Sequence, residues 1–388
     1  MRKRGLTGSF WPSPTQETLL RLAFDPDTDV ERAWRALQPL DLETLEPGTF
    51  AVLPFVYRRL EETGADEPRL PRLAGIYRRN WVTNQVQLDR LPALLEALRA
   101  DGIRPLVIAG PAVATRYYDQ LGLRPMLQLE LLVSPDEAEA AASALERAYW
   151  RPSGPAMRSL TRFADKRSTT SVLVYAGLPA YFLGPVDPSA AVERLRDAAE
   201  ERKVGTADAL TLAPADELLL ACGLGARRLE PPQLQWLVDV HQILASGEVE
   251  EARLLAQAQA HRLARPLRDT LAYLRHTMAL GAPAEGVLRA IDANPSTRRE
   301  RLAHRLAAGG LGPLGPPPQT LVEHTRASLD APLGTAIRSL PRSMREAWQL
   351  ERVEQVPLAA ARKTLARIRS GTPSSSQPPG GRSRSASS

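Results

Sequence analysis

From residue 16 to residue 100 the apolar positions follow a helical spacing. Leu19, Leu20, Leu22 and Ala23 begin one apolar stripe, and Asp29 is placed to cap a second helix carrying Ala33, Trp34 and Leu37. A longer helix is predicted from about Leu73 to Ala100. Its Leu88, Leu91, Leu94, Leu95 and Leu98 recur at three- and four-residue steps and so share one face.

The pattern changes at Asp101-Gly102. Ile103 to Ala109 is short, apolar and partly β-branched, as a buried strand is. Gly110-Pro111 then opens a helix expected to run to about Asp119 and to be ended by Gly122. Leu127 to Val133 begins with period-two alternation, which sets Leu127, Leu129 and Leu131 on one face and Gln128 and Glu130 on the other. Ser134-Pro135-Asp136-Glu137 reads as a capping box with proline in the first turn, opening a helix to about Ala148. Strand-like runs follow at Ser171–Tyr175 and Ala180–Leu183. Strand, helix, strand, helix and further strands make a compact unit of helices and sheet.

Helical spacing returns at Pro214 and continues through Leu234, Trp236, Leu237 and Val240, with further helices over about 249–262 and 266–280. Gly309 to Pro318 is a linker by composition, and helical stretches are expected near 319–329 and 342–369. The chain is thus divided into a flexible N-terminus (1–15), a helical region (16–100), a mixed core (101–205), a helical domain (206–308), a linker with short basic helices (309–370) and a tail (371–388). The tail is too polar to bury an apolar surface and is expected to be disordered.

Charge alters this picture in one place. The net charge is +6, yet no acidic residue follows Glu354, whereas Arg362, Lys363, Arg367, Arg369, Arg382 and Arg384 all do. These six residues account for the whole excess, so nucleic acid is not expected as a partner of the folded body. The basic stretch 359–370 reads first as a solvated helix end and otherwise as a docking segment for an acidic protein partner, nucleic acid or an anionic surface. Cys222 is the only cysteine, which excludes an intrachain disulfide and fits a reducing, cytoplasmic setting. Residues 1–7 are basic, but Ser9, Pro12, Ser13 and Pro14 break up the adjoining stretch, so neither a secretory leader nor a membrane span is expected.

Candidate chemistry concentrates between Leu106 and Val133. A glycine after a buried strand and at a helix N-terminus, here Gly110, can present backbone N–H groups to a phosphate; the plainer reading is a helix-start glycine before Pro111. Two carboxylates two residues apart on a strand point to one face and can share divalent cations. Those two positions hold Gln128 and Glu130. Glu130 reads either as a metal ligand or, preferably, as a solvated strand carboxylate. The five histidines are scattered and lack zinc-ligand spacing. Cys222, Trp34, Trp81, Trp236 and Trp348 are core candidates, and Asp239 is placed to be a buried hydrogen-bonding acid between helices.

Residues 106–113 (LVIAGPAV) and 117–133 (YYDQLGLRPMLQLELLV) resemble a pair of motifs, L-L-K-G-x-A-L and Y-x-x-x-G-x-R-x-M-x-D-x-D-L-L-V. They are characteristic of the bacterial family labelled "uncharacterised nucleotidyltransferase", a branch of the polymerase-β-like superfamily. Residues 52–60 (VLPFVYRRL), 214–222 (PADELLLAC), 234–240 (LQWLVDV) and 258–263 (AQAHRL) are similar to its outlying helices, and the likeness extends over about residues 15–285.

The resemblance implies an α+β fold, a small mixed β-sheet core of nucleotidyltransferase type flanked by N- and C-terminal helical regions. It places nucleotide binding at Gly110 and Arg124, and Arg124 reads on its own as a brace for the strand. It also implies where the chemistry has changed. Ala109 stands in place of the loop lysine, Gln128 in place of the first acid and Glu130 in place of the second. Val172 and Val174 stand at the third acid and its neighbouring histidine. The function so implied is that of a catalytically impaired relative with a binding, scaffolding or regulatory role. The alternative is an active transferase that uses Mg²⁺ at an atypical site around Glu130.

Overall fold

The computed structural model describes residues 11–37, 42, 45–154, 160–179, 187–225, 233–293, 296–307, 319–329, 331–348 and 350–362. Four helices open the chain: α1 (Pro14–Phe24), α2 (Val30–Ala36), α3 (Leu53–Glu62) and α4 (Leu70–Arg99). Their starts follow from local chemistry. Ser13 and Gln16 form a capping box on α1, and the Asp29 side chain accepts from the Arg32 N–H at the head of α2. The helices begin earlier than residue 16, and the Trp11 ring packs on Trp236 and Tyr273, with centroids 5.9 and 5.1 Å away.

The central unit follows: β1 (Leu106–Val107), α5 (Ala109–Arg116), β2 (Leu129–Val133), α6 (Ala138–Arg147), β3 (Trp150–Pro152), β4 (Leu160–Asp165), β5 (Ser171–Ala176), α7 (Pro188–Asp197), β6 (Glu200–Val204) and β7 (Ala207–Thr211). The strands form one mixed seven-stranded sheet in the order β3-β4-β5-β2-β1-β7-β6. The pairs β1–β7 and β2–β5 are parallel and the others antiparallel. One face packs with α4 and α6 through Leu129, Leu131, Val133 and Phe163. The other face packs with α7 and α8 through Leu106, Ile108, Leu132 and Leu173.

A helical block completes this body: α8 (Pro214–Gly225), α9 (Gln235–Ala245), α10 (Glu251–Ala260), α11 (Ala264–Thr277), α12 (Ala282–Ala293), α13 (Arg298–Ala307) and α14 (Gln319–Ala327). Its core is shared with α1, α2 and α3. The chain divides into two compact units, Met1–Asp330 and Ala331–Ser388, so the sequence regions from 16 to 308 all lie in the first. The second unit carries α15 (Leu333–Ala347) and a 3₁₀ turn at Val353–Gln355 that leads into helical residues 356–362. No helix among the described residues is long and apolar enough to cross a membrane.

Several expectations are corrected. The strand expected over 103–109 shrinks to Leu106–Val107, because Pro105 lacks an N–H for the ladder and Ala109 turns into the left-handed region at φ 49°. Likewise β2 starts at Leu129, and Leu127, expected on the core face, is 86% exposed. Trp81 is also exposed rather than core, whereas Trp34 and Trp236 are buried. The helix expected over 342–369 is interrupted after Ala347, where Pro357 fits the first turn of a new helix. The strand expected at 180–183, the linker at 309–318 and the tail at 371–388 lie outside the described residues.

The antiparallel β6–β7 pair has no counterpart in the expected elements. Its outer strand, Glu200–Val204, is largely solvated and charged, as edge strands often are, so it shows little alternation.

Packing between α8 and α9 is close enough to be tested. A Cβ added at Gly225 would lie 2.0 Å from the Trp236 ring. Gly225→Ala should therefore cost about 1–3 kcal/mol, the usual penalty for overpacking. Urea unfolding followed by circular dichroism would read the loss as a lower midpoint at an unchanged slope.

Candidate functional site

The site is assembled where β1 hands over to α5. The first N–H groups of a helix have no partner within it and attract negative charge. In α5 the Ala109 N–H donates to Glu217 Oε1 at 2.8 Å, and the Gly110 N–H donates to Glu130 Oε2 at 2.8 Å. Both donors are thus held by carboxylates of the chain itself, one from β2 and one from α8.

Gly110 is what allows the second contact. A Cβ at this position would lie 3.0 Å from Glu130 Oε2 and 3.3 Å from Met126 Cγ. The missing side chain makes room for a protein carboxylate, the same role a glycine plays beside a bound phosphate. Glu130 is therefore engaged at a helix start and is not the freely solvated strand carboxylate expected.

Arg124 braces the structure. Its guanidinium forms two hydrogen bonds to Asp239 of α9, Nε to Oδ1 at 2.9 Å and Nη2 to Oδ2 at 2.8 Å. Tyr118 Oη at 2.7 Å and Gln235 Nε2 at 2.9 Å also donate to Asp239 Oδ1. Arg124 and Asp239 are each 5% exposed. Burial works against the Arg124 charge, but Asp239 outweighs it and holds the guanidinium pKa above its ordinary value. The buried acid expected at Asp239 is present, and its partner is Arg124, the arginine that the resemblance assigned to nucleotide binding.

The structure does not bring Val172 to this site. β2 and β5 run parallel with Leu129 opposite Val172 and Glu130 opposite Leu173. In-register residues share a face, so Val172 lies in the core with Leu129 and Leu131, on the other side of the sheet from Glu130. The residue in register with Glu130 is Leu173, again without a carboxylate.

Gln128, Glu130, Glu217, Arg124 and Asp239 line one cavity of ≈ 220 Å³, walled by Val113, Met126, Ala221, Leu224 and Trp236. Glu217 lacked an assigned role in the sequence, although an acid in the run 214–222 (PADELLLAC) stands out among apolar neighbours. It is 2% exposed, and burial raises its pKa to about 8 against the hydrogen bond from Ala109. Gln128 brings an amide where a divalent cation would need an anion, and Glu130 is already engaged at Gly110. Among the described residues no three His, Cys, Asp or Glu side chains are grouped to hold a metal ion. The donor set does not fit Mg²⁺ coordination. Cys222 is fully buried, with its thiol pushed up to about 12 by desolvation, so it is inert packing.

The sequence profile of the family described as "uncharacterised nucleotidyltransferase" matches residues 50–279, which is more than half of the chain and contains the whole site. The chain belongs to this family. Its match takes in α3 to α11, narrower at the N-terminal end than the likeness read from the motifs. Among solved structures the chain is similar to an antigenic nucleotidyltransferase-like protein from Paracoccidioides brasiliensis. The two are 11% identical with a TM-score of 0.36, over 51% of this chain and 92% of that one. A search of curated proteins finds no match.

Two measurements check this geometry. Arg124→Met leaves Asp239 charged and buried, and should cost roughly 3–5 kcal/mol, while Arg124→Met with Asp239→Leu should recover most of that loss. A double-mutant cycle in urea reads the coupling directly. For Glu217, the folded pKa lies above that of an exposed glutamate, so its stabilising effect is full at low pH and is lost as pH rises through about 8. Wild type should then lose stability between about pH 4.5 and 8, by at most about 1.4 kcal/mol per pH unit relative to Glu217→Gln. Equal pH profiles for the two proteins would refute the assignment.

Proposed function

We propose that this member of the nucleotidyltransferase family is a binding protein that has given up metal-dependent nucleotidyl transfer and serves a scaffolding or regulatory role. One observation carries the reading: both N–H donors at the head of α5 are held by Glu130 and Glu217. A helix N-terminus beside a glycine is a ready phosphate site only while its donors are open. Here a triphosphate would have to displace two carboxylates and then lie beside them.

Metal-assisted transfer needs anionic ligands that neutralise the polyphosphate and activate the acceptor hydroxyl. Gln128 supplies no charge, and the aliphatic side chain in register with Glu130 supplies none either. Among the described residues two-metal chemistry therefore has no ligand set to act through. What the family scaffold retains is a lined cavity, and binding is the activity a cavity supports without such ligands.

Calorimetric titration of ATP, GTP, CTP and UTP, each with and without Mg²⁺, tests this. The expected outcome is no metal-dependent binding tighter than about 1 mM. Metal-dependent binding or turnover of one nucleotide, abolished by Glu130→Ala, would establish the opposite reading, a working transferase built around Glu130.

A further inference from the structure

The cavity at the head of α5 has an unusual charge balance. Among its described lining residues Glu130, Glu217 and Asp239 are acidic, and Arg124 is the one cation. Arg124 is committed to Asp239 by two hydrogen bonds and cannot turn towards a second anion. Glu217 supplies an independent sign. One of its oxygens accepts from Ala109, but Oε2 has no hydrogen-bond partner although the residue is 2% exposed. A buried carboxyl oxygen left unmatched, with or without its proton, costs free energy that a hydrogen bond to a ligand would recover.

We propose that this cavity binds a small organic cation, a primary ammonium on an apolar or aromatic body, with the ammonium donating to Glu217 Oε2. The proposal rests on the binding-protein reading above and names the class of ligand. The walls suit the body of such a molecule. Val113, Met126, Ala221 and Leu224 are apolar, and Trp236 offers an aromatic ring to a cation. At ≈ 220 Å³ the space is smaller than the roughly 300–1,000 Å³ of most ligand pockets, so the occupant is small. An anionic ligand would meet net negative charge at the same place.

Burial keeps Glu217 largely protonated at neutral pH when the cavity is empty. The charged groups that face it are Asp239 of α9, Arg124 and Glu130 of β2, and a titratable but neutral phenol, Tyr117, faces it from the end of α5. An entering ammonium favours the carboxylate, so its binding releases a proton to the buffer and tightens as pH rises towards Glu217's pKa. An alkylammonium itself stays charged over this range, since its pKa lies near that of lysine, about 10.4.

The test is calorimetry on the full chain with three probes of similar shape: phenethylamine, 2-phenylethanol and 3-phenylpropionate. Phenethylamine should bind at least about tenfold tighter than the other two. Its affinity should rise between pH 6 and pH 8, up to about tenfold per unit, with proton release seen as a buffer-dependent heat. Glu217→Gln, which keeps the shape and the acceptor for Ala109, should remove the preference for the amine and its pH dependence.

Equal binding of amine and alcohol, a flat pH profile, or an unaltered Glu217→Gln variant would each overturn the proposal. So would a failure of all three probes to bind. If Glu217→Gln does not fold, the wild-type comparison of amine with alcohol and its pH profile decide alone. The two readings fail separately: metal-dependent nucleotide binding refutes the binding-protein function, whereas silence from the amine refutes only the ligand class.

Discussion

Two carboxylates from distant parts of the chain meet the first two amides of α5, and the arrangement around the cavity depends on that meeting. Glu130 comes from β2 in the sheet and Glu217 from α8 in the helical block. The helix they cap is only eight residues long, a length that is marginal in isolation. A side-chain cap is worth about 0.5–2 kcal/mol, a large share of what so short a helix can contribute. The contacts also fix α5 between sheet and helices, with Arg124 and Asp239 making a second tie beside the same cavity. Donors that a helix start can offer to a phosphate are used here to join the protein to itself.

This is how the head of α5 is satisfied from within the chain. A carboxylate at a helix N-terminus satisfies both the open N–H groups and the helix dipole, as a phosphate would. The substitutions read from the motifs leave the strand, the turn and the glycine intact, and the scaffold stays closed without a ligand. The cavity beside it is lined by apolar side chains such as Val113, Met126 and Leu224 together with the polar groups of Arg124, Gln128, Glu130, Glu217 and Asp239.

Much of this was legible in the sequence, for definite reasons. The leucine spacing of α4, the capping box at Ser134 and Glu137 and the alternation of β2 are local signals, and local signals survive folding. Asp239 as a buried acid was also readable, because a charged residue inside an apolar helical run must find a partner, and Arg124 stood out as a brace next to the strand. The pairing of these two residues was not, since it spans 115 positions and depends on how the segment before β2 meets α9. Val172 was misplaced for a related reason. Period two gives a strand two faces, and only the register with Leu129 tells which one Val172 occupies. Glu217 carried a local signal, one of two adjacent acids at the head of an otherwise apolar helix, but its partner is a backbone amide and leaves no trace in a motif. The β6–β7 edge was hidden by its charge.

α4 adds a consequence of another kind. Over its thirty residues, Leu73 at one end is buried with the helical block, while Leu88, Leu91, Leu94, Leu95 and Leu98 at the other are buried with the sheet. One rigid rod therefore belongs to two hydrophobic cores. A nascent chain that has emerged only to residue 100 holds a helix whose first end can pack on α3, while the leucines at its other end await the sheet encoded further on. The sheet and the helical block are thereby committed to order together, and a cut between them would leave an apolar stripe bare on whichever piece kept the rod.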